Sequence, residues 1–305
     1  MVGSTLTMDV FILLYITNKN IMIFKYLSIV LMASMLPFFI YAQKLPNIQQ
    51  NSLRAPANIK IDGKATEWNN KFQAYNNATD IFYTIANDDT KLYLTIQATD
   101  HTVINKILGA GIVFTINTSN EKNIKNGMSL TYPILDIQNR VWVNLVDQPQ
   151  ATAGRDAVLA DSIMNIRNRE FANRSKVIGV TGIKGVDTLV SVYNHDGIKA
   201  AGTFNNKLFF TCELAVDLTK LGLSINNPVK FAYNITLPGV DMAAIYAATG
   251  QATALAAGRY IIPTGPLPGF TQEYVDKHLP SWPYKIHVET FTSTTNFWGE
   301  YVLLK

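Results

Sequence analysis

The chain has 305 residues, 48% of them apolar and 16% charged, with 15 Phe, 14 Tyr and 4 Trp, which is enough apolar material for a sizeable core and excludes a disordered chain. Its formal net charge of +4 comes without any long run of like charges, which excludes the electrostatic footprint of a nucleic-acid binder. The single cysteine, Cys212, excludes a disulfide scaffold.

From Met22 the chain reads as a positive charge at Lys25, an apolar run over residues 26–41, and small Ala42 before polar Gln43. That order predicts a secretory signal cut after Ala42. The run is short and interrupted by Pro37, which argues against a membrane anchor. A complete signal beginning at Met22 places the start of translation there and leaves residues 1–21, with their short apolar patch over 10–16, outside the translated protein. No cysteine stands at the cut, so the expected product is secreted or periplasmic, carries no lipid anchor and has no stable membrane span.

Residues 43–57 are polar, hold Pro46 and Pro56, and read as a tether ahead of a domain over 58–305. Beyond it strands dominate. Ile81, Tyr83 and Ile85 alternate with Phe82 and Thr84, and Leu92, Leu94, Ile96 and Ala98 alternate with Tyr93, Thr95, Gln97 and Thr99. That period of two turns one face of each strand to a core. Asn87, Asp88, Asp89 and Thr90 between the two runs supply a hairpin turn. Further strands are predicted over 112–117, 141–146, 176–181, 188–193, 208–214, 230–237 and 301–304. Residues 157–171, with Val158, Ile163, Ile166 and Glu170 near helical spacing, and the alanine-rich 242–257 read as short helices in loops. Pro263, Pro266, Pro268, Pro280 and Pro283 predict an irregular surface excursion before the last strand. Many short strands separated by turn residues imply an all-β sandwich or barrel.

Four stretches in order carry a resemblance. Residues 59–68, IKIDGKATEW, resemble the opening strand of family 9 carbohydrate-binding modules and the wider group of domains similar to them. Residues 88–100, DDTKLYLTIQATD, are similar to their second hairpin strand, and residues 210–222, FTCELAVDLTKLG, to their central glutamate strand and the turn after it. Residues 296–303, NFWGEYVL, resemble their closing strand. The resemblance implies a two-sheet antiparallel β-sandwich, of immunoglobulin or jelly-roll kind with short helical insertions, often secreted and sometimes attached to glycan-degrading enzymes. The extended group also includes haem-binding electron-transfer subunits.

Within these stretches Asp62 and Gly63 supply a turn residue and a permissive backbone. Trp68, and Trp298 beside Gly299, are expected to pack in the core, given the area an indole buries. Glu213, among Cys212, Leu214 and Val216, is expected to be buried and to need a Lys or Arg partner.

Sugar recognition needs a flat aromatic face flanked by amides, carboxylates or guanidinium groups. Trp282 and Tyr284, with Tyr274 and Asp276 upstream in the proline-rich loop, offer that chemistry, and Trp142 between Arg140 and Asn144 is a second set. Asp88, Asp89 and Asp100 are weak candidates for a calcium site, with turn and strand-end roles as the alternative. Met128, Met164, Met242 or His195 would be the axial ligands of a noncovalent haem, since no CxxCH occurs. There is no HExxH, GxSxG or phosphate loop, and His101, His195, His278 and His287 are scattered. The sequence therefore reads as a noncatalytic module whose partner is a polysaccharide or oligosaccharide. A haem-binding domain, or a glycoside hydrolase or accessory subunit with two distant carboxylates, are the alternatives.

Overall fold

The computed structural model describes residues 44–136, 155–241, 244 and 288–305. The elements below belong to the compact unit Leu45–Lys305. They are, in chain order, β1 (Ala74–Asn76), β2 (Ile81–Asn87), β3 (Lys91–Ala98), α1 (His101–Ala110), β4 (Ile112–Asn117), β5 (Met128–Tyr132) and α2 (Arg155–Arg174). There follow β6 (Val177–Thr181), β7 (Leu189–Ser191), β8 (Ile198–Phe204), β9 (Phe210–Asp217), a 3-10 turn (Leu218–Leu221), β10 (Lys230–Leu237), α3 (Val288–Thr292) and β11 (Thr295–Val302).

The strands form two antiparallel sheets, a five-stranded one in the order β1-β2-β3-β9-β8 and a six-stranded one in the order β11-β10-β4-β5-β6-β7. This is an all-β sandwich. Alternation explains its core. Tyr83, Ile96 and Cys212 stand in one register row of the first sheet, and Phe297, Ile235 and Phe114 in one row of the second, all buried between the sheets. Each large apolar side chain so buried contributes about 1.5–3 kcal/mol. The core also holds a polar pair, Tyr83 and Tyr233, whose hydroxyls lie 3.1 Å apart across the sheets. The peptide N–H of Gln49 donates to Tyr83 Oη at 2.9 Å, so the phenol is not left unsatisfied.

Gly299 sits on the inward face of β11 because nothing larger fits: a Cβ there would stand 2.2 Å from the Tyr233 ring. Its neighbour Trp298 consequently points outward and is half-buried, not packed in the core as its sequence context suggested. Trp68, by contrast, is 8% exposed and forms a small second core with Ala65, Phe72 and Ala86.

Other expectations are revised. Residues 59–68 form turns, with no strand: the Asp62 and Gly63 N–H groups go to a side chain described below, and Trp68 N–H bonds back to the Ala65 carbonyl. Residues 45–57 are hydrogen-bonded into the body instead of forming a free tether. The Gln49 side chain donates to the Ile85 carbonyl and accepts from the Ile85 N–H, both at 2.8 Å, while Ala55 and Leu53 bond the backbone of Asn87. They cover the edge of β2 that short β1 leaves open. The helix expected near 157–171 is α2, but its stripe differs: Ile166 is 48% exposed, and Met164 and Phe171 are the buried contacts. The sequence reading missed α1, although Asp100 caps it through Val103 N–H at 3.0 Å and Gly111 ends it at φ 79. The expected strand over 141–146, the expected helix over 242–257 and the proline-rich excursion lie outside the described residues. Among the described residues no helix is long and apolar enough to cross a membrane.

Candidate functional site

Three of the four sequence stretches, 59–68, 88–100 and 210–222, converge on Glu213. In β9 this residue faces Thr95 of β3 and Ala201 of β8, on the outer face of the five-stranded sheet. It is nevertheless fully buried, because the turns over 59–72 lie across it. Its Oε2 accepts the peptide N–H groups of Asp62 at 3.1 Å and Gly63 at 3.0 Å, and Thr95 Oγ1 lies 3.4 Å from Oε1. Gly63 has φ 80 and approaches β8 so closely that a Cβ would meet Gly202 at 2.6 Å, so only glycine serves. The expected Lys or Arg partner is replaced by peptide donors. Burial pushes the Glu213 carboxyl up to about 7, against the opposing pull of the two N–H groups. Asp62, Gly63 and Glu213 thus form a clasp that holds a loop on a sheet.

The three aspartates considered for calcium do not meet. Asp88 Oδ1 accepts from Thr90 N, Thr90 Oγ1 and Lys91 N, and its Oδ2 accepts from Tyr93 Oη at 2.6 Å. Those bonds hold the Asp88 carboxyl below its usual range despite burial. Asp89 pairs with Arg54 at 2.6 Å, and Asp100, beyond the far end of β3, caps α1. Turn and capping chemistry consumes all three. Among the described residues no three His, Cys, Asp or Glu side chains cluster as a metal site would. Of the methionines and histidine considered for haem, Met164 is in the core, Met128 is half-buried, His195 is exposed, and Met242 lies outside the described residues.

The outward turn of Trp298 builds a surface the sequence reading did not anticipate. The indole lines an open groove of about 430 Å³ with Gln50, Ser52, Lys122, Lys230 and Glu300. Glu300 holds both lysines, Lys230 at 2.6 Å and Lys122 at 3.6 Å, and their charges keep its carboxyl below the usual range. A half-buried apolar ring therefore stands beside an amide, a hydroxyl and both signs of charge. Such a set can stack on one face of a pyranose and hydrogen-bond its hydroxyls. The groove draws on segments near 50, 122, 230 and 300, which no sequence spacing connects. The one signal available was period two in β11, which sets Trp298 and Glu300 on the face opposite Phe297, Gly299 and Tyr301.

Trp282, Tyr284, Tyr274, Trp142, Arg140 and Asn144, the aromatic and polar residues expected to contact sugar, lie outside the described residues.

No family model matches the sequence, and no curated protein matches it. Among solved structures, the chain is similar to a family 9 carbohydrate-binding module from Caldicellulosiruptor kristjanssonii in complex with glucose, at 9% identity and a TM-score of 0.30, over 64% of this chain and 80% of that chain.

Proposed function

We propose that this protein is an exported, noncatalytic glycan-binding β-sandwich whose contact surface includes the Trp298 groove. The observation that carries the reading is the partly exposed Trp298 indole on an edge strand, flanked by Gln50, Ser52, Lys230 and Glu300 in an open groove. An aromatic platform with hydrogen-bonding groups at its rim suits a sugar ring better than a fully apolar ligand. The resemblance of four ordered stretches to carbohydrate-binding modules adds to this, and three of them meet in one structural clasp. The loop residues Trp282, Tyr284, Tyr274, Trp142, Arg140 and Asn144 are proposed as a second part of the contact surface. Export through the signal ending at Ala42 would bring the module to polysaccharide.

Affinity electrophoresis through gels containing soluble β-glucan, xylan or mannan tests the reading. The folded chain is expected to be retarded in at least one gel. Unretarded migration in all of them, with folding verified by circular dichroism, would remove the glycan-binding reading.

A further inference from the structure

Lys106 of α1 is wholly buried, and its Nζ donates to Thr295 Oγ1 at 3.0 Å. Among the described residues it enters no ion pair. An ammonium withdrawn from water without an opposite charge is costly, and the cost is relieved either by loss of the proton or by a compensating anion. The side chain lines a cavity of about 350 Å³ with Tyr75, Asn77, Asp80, Thr290 and Thr295, between the turn after β1, α1, and the approach to β11. That volume falls within the range of small-molecule pockets. Burial lowers the Lys106 amine to about 8, so it carries its charge at neutral pH and gives it up just above. The Tyr75 hydroxyl donates to Asp80, which raises the phenol to about 12 and keeps it protonated. Asp80 retains further lone pairs to accept hydroxyl donors.

Among the described residues the lining therefore presents one cation and one carboxylate, with an amide and the hydroxyls of Tyr75, Thr79, Thr290 and Thr295 beside them. The single ammonium matches a monoanion, while Asp80 opposes a second negative charge. We propose that this cavity binds a small hydroxylated monocarboxylic acid of monosaccharide size, its carboxylate on Lys106 Nζ and its hydroxyls on Asp80, Asn77 and Thr290. This site is distinct from the Trp298 groove and does not depend on it.

Calorimetric titration of the exported chain with D-glucuronate, D-glucose and inorganic phosphate tests the proposal. At about pH 7 glucuronate is expected to bind one to one, with glucose and phosphate about tenfold weaker or more, since a charge-assisted contact is lost or opposed. Lys106→Met, near in shape and without the charge, is expected to weaken glucuronate about tenfold or more. Trp298→Ala is expected to leave glucuronate affinity unchanged, which separates this site from the glycan groove. Raising the pH to about 9 should weaken glucuronate in the unmodified chain, a readout that stands even if the variant fails to fold. Equal affinity for glucose and glucuronate, or a glucuronate affinity that does not change with pH, would overturn the proposal.

Discussion

Glu213 holds the turns over 59–72 through a carboxyl that burial has pushed up to about 7, from an ordinary value of 4.5. Between those two pH values the folded chain binds more protons at this group than the unfolded chain does, so stability falls as pH rises. The contribution is complete below about 4.5 and lost as pH passes through about 7. Glu213→Gln keeps an oxygen to accept the Asp62 and Gly63 N–H groups and removes the titration. Urea unfolding at a series of pH values should show wild type losing stability relative to Glu213→Gln across that window and nowhere else. A constant difference would refute the assignment. Glu213→Ala, which leaves two buried donors unsatisfied, should cost about 2–4 kcal/mol. The burial of Glu213 was legible from its apolar neighbours, but its partners were not. A peptide N–H looks alike at every position, whereas a search for charge partners looks only at Lys and Arg. Lys106 was missed for a different reason: α1 went unread, so nothing showed that its side chain would point inward.

At the scale of elements, β2 is the exposed weakness of the five-stranded sheet, because β1 pairs only Ile81 to Tyr83. Residues 49 to 55 close the rest of that edge, with the Gln49 amide standing in for a strand's N–H and C=O. Gln49→Ala should cost about 1–3 kcal/mol in chemical unfolding, since Ile85 then loses both of these bonds. It should also promote self-association through the uncovered edge, visible by light scattering. No loss of stability would return this segment to the status of a tether. On β11, Gly299→Ala should destabilise by about 1–3 kcal/mol through overlap with Tyr233, and a neutral result would contradict the packing described. Strands with clean alternation, β2, β3, β4 and β10, were legible with their bounds nearly right. β6, β7 and β9 were also foreseen near their bounds, β11 was expected only over 301–304, and β1, β5 and β8 were not foreseen. β8, IKAAGTF, has Gly202 where Phe210 and Phe171 exclude bulk, and two alanines before it, so its pattern carries little apolar contrast.

For the whole molecule, period two and repeated turns made the two-layer β architecture legible, yet neither encodes strand order. The pairing of β3 with β9 across more than a hundred residues puts Glu213 over the 59–72 turns. The pairing of β10 with β11 brings Lys230 to Glu300 and Trp298. The groove is thus a product of topology. Its role is tested most directly by titrating wild type and Trp298→Ala with the polysaccharide that retards the chain most strongly in the gels. Loss of a stacking ring should weaken binding by about tenfold or more while leaving unfolding stability nearly unchanged, because the indole lies outside the core. Equal dissociation constants for the two proteins would contradict the assignment of this groove as the glycan-binding surface.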